Sequence, residues 1–266
     1  MVRENKLKLA IKEGRVVKGP IYYIPHPDVV EMLAAAGWDF VQFEGEHEIN
    51  VVEAKQLVLA AEASGITPLV KLGACDPPLI ASWLDIGVQA VKVNHIQTAD
   101  DAERAVKACK YAPDGERSWC MGARSAGHCT QPNFSQRANE ETMVILGIED
   151  IQGLHNLESI ASVQGVDVIT VGPGDMSANL GVPGQYNHPK VRDAFIRMID
   201  MCKAKGVTPG VMVIDYEEAK FYAEKGAQYM VFSSDKRMMN QVFQRTKREL
   251  DEALTLVAGH KMTLGK

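Results

Sequence analysis

Short apolar runs rich in Val, Ile and Phe alternate along this chain with stretches whose apolar positions recur every three to four residues. A run that is apolar throughout suits a strand buried on both faces, and the amphipathic stretch after it suits a crossover helix. Eight such units follow one another, with strands predicted at Pro20–Ile24, Phe40–Gly45, Pro68–Leu72, Ala90–Asn94, Met143–Ile148, Asp167–Val171, Gly210–Ile214 and Tyr229–Ser233. The second helix, Val52–Ala63, stops at Gly65, and the third begins after Asp76-Pro77, a cap followed by a first-turn proline. Gly37, Gly87, Gly206 and Gly226 punctuate helix ends in the same way. No GxGxxG follows the first strand, and no break in composition divides the chain. The pattern predicts an α/β fold, a closed (β/α)8 TIM barrel in a single domain over residues 1–266. A helix is expected within residues 1–18 and another over residues 236–258. One segment breaks the rhythm: Arg117–Glu141 is long and polar, and reads as a lid or a subunit-contact loop.

Composition narrows the partners. With 46% hydrophobic and 24% charged residues among 266, the chain can bury a large core. A net charge of −5, scattered along the sequence, argues against a nucleic-acid footprint and against a polybasic membrane surface. The first nineteen residues are charged and lack a secretory core, and no apolar run approaches membrane-spanning length, so a cytoplasmic protein acting on a small molecule is expected. Cys75, Cys109, Cys120, Cys129 and Cys202 are odd in number and form no CxxC pair, which points to buried or inert thiols.

Chemistry in such a barrel sits at the C-terminal ends of the strands. Those ends carry Pro25-His26, Glu44-Gly45-Glu46-His47, Lys71, Asn94-His95, Glu149-Asp150, Gly172-Pro173-Gly174-Asp175 and Ser233-Ser234-Asp235. Glu149 follows an apolar run directly, where a carboxylate is unfavourable unless it is paired or cation-bound. Asp175 follows the next strand across a tight turn, so a divalent ion held by the two is one reading. Oxygen ligation of this kind suits Mg²⁺ or Mn²⁺, with Co²⁺ as a replacement. The other reading pairs Glu149 with an internal cation and makes Asp175 a helix cap. His47, beside Glu44 and Glu46, is a candidate general base or a structural histidine. Asp85, in Trp83-Leu84-Asp85-Ile86-Gly87, is placed to orient an imidazole or is simply an exposed helix-end carboxylate. His26, His95 and His128 read as ordinary histidines. Lys71 suits either a substrate carboxylate or imine chemistry, and Lys92, which shares a face with Asn94, reads mainly as an internal salt-bridge partner.

These residues resemble the HpcH/HpaI aldolase family, which includes macrophomate synthase and 2-dehydro-3-deoxyglucarate aldolase. The resemblance runs through Glu46-His47, Leu84-Asp85-Ile86-Gly87, Ala112–Arg117, Ala138-Asn139, Ile148-Glu149 and Gly172–Ser177. It implies a metal-dependent carbon–carbon lyase that stabilises the enolate of pyruvate or a related 2-oxo acid, with an aldehyde or acyl group as acceptor. It also implies Glu149 and Asp175 as metal ligands, His47 as catalytic base and Asp85 as its acidic partner. The turn Gly172, Pro173, Gly174 and Asp175 would receive the substrate carboxylate, with Lys71, Glu44 and Asn94 also lining the substrate. The assembly it implies is a hexamer, a trimer of dimers with the last helix on a neighbour. Four positions depart from the family pattern: Lys71 for arginine, Glu44 for aspartate, Asn94 for proline and Gly147 for glutamine. They cluster at strand ends, which points to a changed substrate or reaction. Competing expectations are an oxaloacetate decarboxylase or citrate-synthase-like condensing enzyme, imine chemistry through Lys71 or Lys92, and a 2-oxo-acid-binding barrel that has lost catalysis.

Overall fold

The computed structural model describes residues 2–128 and 132–263. Its strands are β1 (Val17–Tyr22), β2 (Phe40–Glu44), β3 (Thr67–Leu72), β4 (Ala90–Val93), β5 (Met143–Ile148), β6 (Val168–Val171), β7 (Thr208–Val213) and β8 (Tyr229–Ser234). All neighbours are parallel, and β8 pairs with β1 to close the barrel in sequence order. The helices are α1 (Lys6–Lys12), α2 (Pro27–Ala35), α3 (Val51–Ser64), α4 (Pro77–Ile86), α5 (Ala99–Cys109), α6 (Phe134–Glu141), α7 (Ile151–His155), α8 (Leu157–Ala161), α9 (Pro173–Asn179), α10 (Pro189–Lys205), α11 (Tyr216–Lys225) and α12 (Asp235–Thr263). The eight predicted strands are all present. β1 starts earlier than expected, within the stretch read as helix, because α1 is only 7 residues long.

Alternation along each strand sorts the side chains into two cores. Val41, Phe43, Val70, Val91, Val93, Leu146 and Ile148 face the helices. Phe40, Leu69, Ala90, Ile145, Val168 and Tyr229 face the lumen, where the Phe40 and Tyr229 rings stack at 4.7 Å. Leu7 and Ala10 of α1 join that lumen cluster, so α1 closes the N-terminal mouth of the barrel. Asn5 fixes the lid in place, accepting from Leu7 and Lys8 N–H and donating to the carbonyls of Gln89 and Glu141.

Above this apolar floor the same inward register continues with polar residues. Glu44 is level with Lys71, Lys71 with Lys92, and Gly147 with Thr170. The lumen is therefore apolar at its N-terminal end and charged at its C-terminal end. Helix starts are fixed by local caps, as predicted at Asp76, whose carboxylate accepts from Leu79 N–H. The left-handed glycines Gly65, Gly87, Gly206 and Gly226 end their helices.

The Arg117–Glu141 segment joins α5 to β5 and so lies at the N-terminal face, opposite the strand C-termini. Within one chain it is not a lid over them. It contains a 3-10 turn (Arg124–Ala126) and α6, and Asn139 pins it by donating to Tyr111 O and Asp114 Oδ2 at 2.8 and 2.9 Å. Cys109 and Cys202 are buried, and burial pushes both thiols up to about 12, which makes them inert. Cys75 is half-buried and Cys120 exposed, while Cys129 lies outside the described residues. Among the described residues no helix is long and apolar enough to cross a membrane. From Asn240 to Thr255 every side chain of α12 is exposed, including Val242, Phe243, Leu250 and Leu254.

Candidate active site

Lys71 stands at the centre of the charged end. Its Nζ lies 3.0 and 2.9 Å from the two Glu44 oxygens and 2.8 Å from Glu46 Oε2, and Asn94 Nδ2 donates to Glu46 at 3.3 Å. Glu44 is fully buried. Burial works against the Lys71 charge, but the Glu44 and Glu46 carboxylates outweigh it and hold the ammonium above its ordinary pKa. Burial also opposes ionisation of Glu46, and the Lys71 contact overrides it, so that this carboxyl lies below its usual range. A lysine held charged by two carboxylates is a poor imine nucleophile, which needs the neutral amine.

Lys92 differs from its expected role. It forms no hydrogen bond and no ion pair among the described residues, although the charges of Glu149, Glu44 and Glu46 act on it from a distance. Burial lowers its pKa to about 8. The salt bridge anticipated from sequence is absent because Glu44 and Glu46 are both taken by Lys71.

Glu149 follows β5 directly and is 5% exposed, and its Oε2 has no hydrogen-bond partner. Burial raises its carboxyl above the ordinary range, with Asp175 adding to the rise and Lys92 and His95 opposing it. Asp175 is exposed in the first turn of α9; no side-chain cap hydrogen bond is made at that helix start, so the capping role is not taken up. Asn179 Nδ2 donates to Glu149 O at 3.3 Å and to Asp175 O at 3.0 Å, tying the two backbones together. Ser177 Oγ donates to Gly174 O at 2.7 Å and accepts from Gly184 N–H, which fixes the turn. A β-carbon at Gly172 would stand 2.6 Å from Glu149 Oε1, so a larger residue there would displace that carboxylate.

Within one chain His47 and Asp85 do not meet. The His47 imidazole is largely exposed at the mouth of the barrel, 3.9 Å from Glu46 Oε1. Asp85 lies at the C-terminal end of α4, and helices run antiparallel to the strands, so it sits at the opposite end of the barrel. There it accepts from Arg117 Nη2 at 2.6 Å. Within one chain the helix direction keeps His47 and Asp85 apart.

His95, read as ordinary from sequence, stands closer to the candidate site than that reading expected. It follows β4 in the left-handed region at φ 57°, with Nδ1 3.0 Å from Glu149 Oε2 and Nε2 3.7 Å from Glu46 Oε1. Its adjacency to Asn94 at a strand end was the available signal. Asn179 was missed as well, although it stands four residues after Asp175 in a helical turn.

The arrangement fits a divalent cation. A buried carboxylate oxygen that makes no hydrogen bond, with only the His95 ring beside it at 3.0 Å and the charge of a second carboxylate acting on it, gains from a cation. Glu149 and Asp175 are the residues suited to hold one. Among the described residues, one trio of ligand-type side chains, Glu44, Glu46 and His47, already has donor atoms within 4.8 Å of one another. The Lys71 ammonium bonds two of its three members and supplies the positive charge there.

The HpcH/HpaI aldolase/citrate lyase family profile matches residues 23–241. The 4-hydroxy-2-oxo-heptane-1,7-dioate aldolase of Escherichia coli is 34% identical over 238 residues, 89% of this chain and 91% of that protein. The hydroxypyruvate/pyruvate aldolase of Sagittula stellata is 32% identical over 237 residues, 89% of this chain and 94% of its own length. Among solved structures, that of the citrate synthase SbnG superposes with a TM-score of 0.84 at 29% identity, covering 93% of this chain and 98% of the other.

Proposed function

This chain belongs to the HpcH/HpaI aldolase/citrate lyase family, and from that premise we propose a metal-dependent aldolase that makes or breaks a carbon–carbon bond next to the enolate of pyruvate or a related 2-oxo acid. The observation that carries the proposal is the buried Glu149 Oε2, which lacks a hydrogen-bond donor and faces a second carboxylate's charge. Glu149 and Asp175 would hold the cation, Mg²⁺ by preference for oxygen ligands, with Mn²⁺ or Co²⁺ as replacements. When bound, that ion supplies Lewis acidity toward the developing enolate oxygen.

The chain's own residues supply the rest. The open backbone at Gly174, where an added β-carbon would meet nothing within 4 Å, leaves room for a substrate carboxylate beside Asp175. Gly172 and Pro173 set the direction of that turn. His47, exposed at the mouth, is placed to take the hydroxyl proton of a 4-hydroxy-2-oxo acid as the C3–C4 bond breaks. The electron pair then stays on the 2-oxo acid fragment, and the aldehyde departs. Lys71, Glu44, Glu46 and Asn94 bond one another and would line the substrate as a paired cluster rather than a free cation.

Chelator-treated protein is expected to lose cleavage of 4-hydroxy-2-oxo acids and to regain it with Mg²⁺, Mn²⁺ or Co²⁺. Glu149→Gln is expected to abolish that recovery. Full turnover in the stripped protein, together with borohydride trapping of a 2-oxo acid on Lys92, would replace this reading with imine chemistry.

A second reading rests on the closed Lys71 cage and the likeness to a citrate synthase. Here the same enolate is used by a condensing enzyme or by a decarboxylase acting on oxaloacetate. Product analysis with oxaloacetate, alone and with an acceptor, separates the two. The exposed apolar positions of α12 support a homo-oligomer, a trimer of dimers with α12 packed on a neighbouring copy.

A further inference from the structure

We infer that Lys92, and not Lys71, is the cation that meets the substrate in this chain, holding the charge that develops on the C2 oxygen as the enolate forms. The inference rests on the 2-oxo-acid reading above and deepens it by assigning a residue to that oxygen.

Strand alternation aims Lys92 into the barrel. Ala90, two residues before it on β4, belongs to the lumen core, while Val91 and Val93 belong to the core between strands and helices. Its neighbours at the same level are Lys71 on β3 and Ile145 on β5, a like charge on one side and an apolar side chain on the other. Neither can pair with an ammonium. Glu44 and Glu46 are already taken, since both bond Lys71 at 2.8 to 3.0 Å. Lys92 is therefore 5% exposed and without a partner among the described residues, whereas the Lys71 charge is answered twice over.

A buried ammonium without a partner is unfavourable, and an oxyanion entering the chamber supplies what is missing. Glu149 is the charge that acts most strongly on Lys92, and Lys92 is the charge that acts most strongly on Glu149. The ammonium thus lies toward the candidate metal ligand without closing on it.

When the C3–C4 bond of a 4-hydroxy-2-oxo acid breaks, its electron pair becomes the C2–C3 double bond. The C2 carbonyl pair moves onto oxygen, the hydroxyl proton passes to His47, and the aldehyde departs. With the substrate carboxylate at the Gly174 turn, the C2 oxygen is the atom whose charge grows. A buried cation with no partner in the ground state stabilises that growing charge more than it stabilises the neutral ketone.

The test titrates oxalate, a stable analogue of the pyruvate enolate, onto the wild type and Lys92→Met by calorimetry, each with and without Mn²⁺. Electron paramagnetic resonance reads the Mn²⁺ affinity separately. Oxalate is expected to bind Lys92→Met at least about tenfold more weakly, with Mn²⁺ affinity unchanged. For 4-hydroxy-2-oxo acids kcat should fall about a hundredfold while KM stays within about threefold. The variant puts an apolar side chain of similar length in a buried place, so it is expected to fold. A smaller loss of oxalate affinity, or a loss matched by that of Mn²⁺, overturns the inference and leaves Lys92 as a neighbour of Glu149 only. Borohydride trapping of pyruvate on Lys92 also overturns it, since an amine bonded to C2 has displaced the oxygen it was to hold. If the wild type takes up no Mn²⁺, the metal-dependent reading falls while the metal-free oxalate comparison still decides the inference. Oxalate that binds the wild type in neither state overturns it.

Discussion

A β-carbon added at Gly147 would stand 2.3 Å from Asn94 Oδ1, so these two residues, on adjacent strands, occupy one volume between them. A larger side chain at 147 and Asn94 in its present rotamer compete for the same space. Gly147→Ala is expected to destabilise the fold by about 1–3 kcal/mol through overpacking. In an Asn94→Ala background the same change should have little effect. Denaturant midpoints of the two single variants and the double variant measure the coupling, and additive effects would sink the idea. The position of Glu149, Asp175, Lys71 and Glu44 at the strand ends was legible in sequence because each follows or ends an apolar run. The approach of His95 to Glu149 was not, since it lies in one backbone dihedral and one interatomic distance, neither of which spacing encodes. Where Asp85 stands within one chain follows from the reversal of direction in its helix, which carries it to the far end of the barrel beside Arg117.

At the scale of elements, periodicity found the strands because parallel strands in a barrel are apolar on both faces. It found neither α6 nor the 3-10 turn in the long polar connection, where a small satellite core of Tyr111, Ala123, Ala126, Phe134 and Ala138, together with hydrogen bonds from Asn139 and Lys110, holds the chain. α12 presents the opposite situation, a helix that is well formed but lacks a surface to cover its apolar positions. Replacing Phe243 and Leu250 together by Glu is expected to split the assembly while the barrel keeps its circular dichroism. Light scattering on eluted fractions reads the mass. A wild type that runs as a monomer at micromolar concentration would remove the basis for α12 as an interface.

For the whole molecule, the lumen trades stability for chemistry. Lys92 is a base whose folded pKa, about 8, lies below the unfolded value of about 10.5. Below pH 8 the folded state must carry a buried charge, and the penalty, at most about 3 kcal/mol, is complete there. As pH rises from 8 toward 10.5 the unfolded chain binds more protons than the folded one, and stability recovers. Lys92→Met should therefore be more stable than the wild type at pH 7, with the difference shrinking as the pH approaches 10.5. Paired urea titrations across that range test the sign.

The floor formed by Leu7 and Ala10 adds one more consequence. With its lower mouth plugged, the lumen offers a small reagent no approach to Lys92 from that end, so access to it falls to the strand C-terminal end. Traffic and chemistry share a single doorway, so the rate at which a small amine-directed reagent labels Lys92 becomes a gauge of whether that doorway is filled.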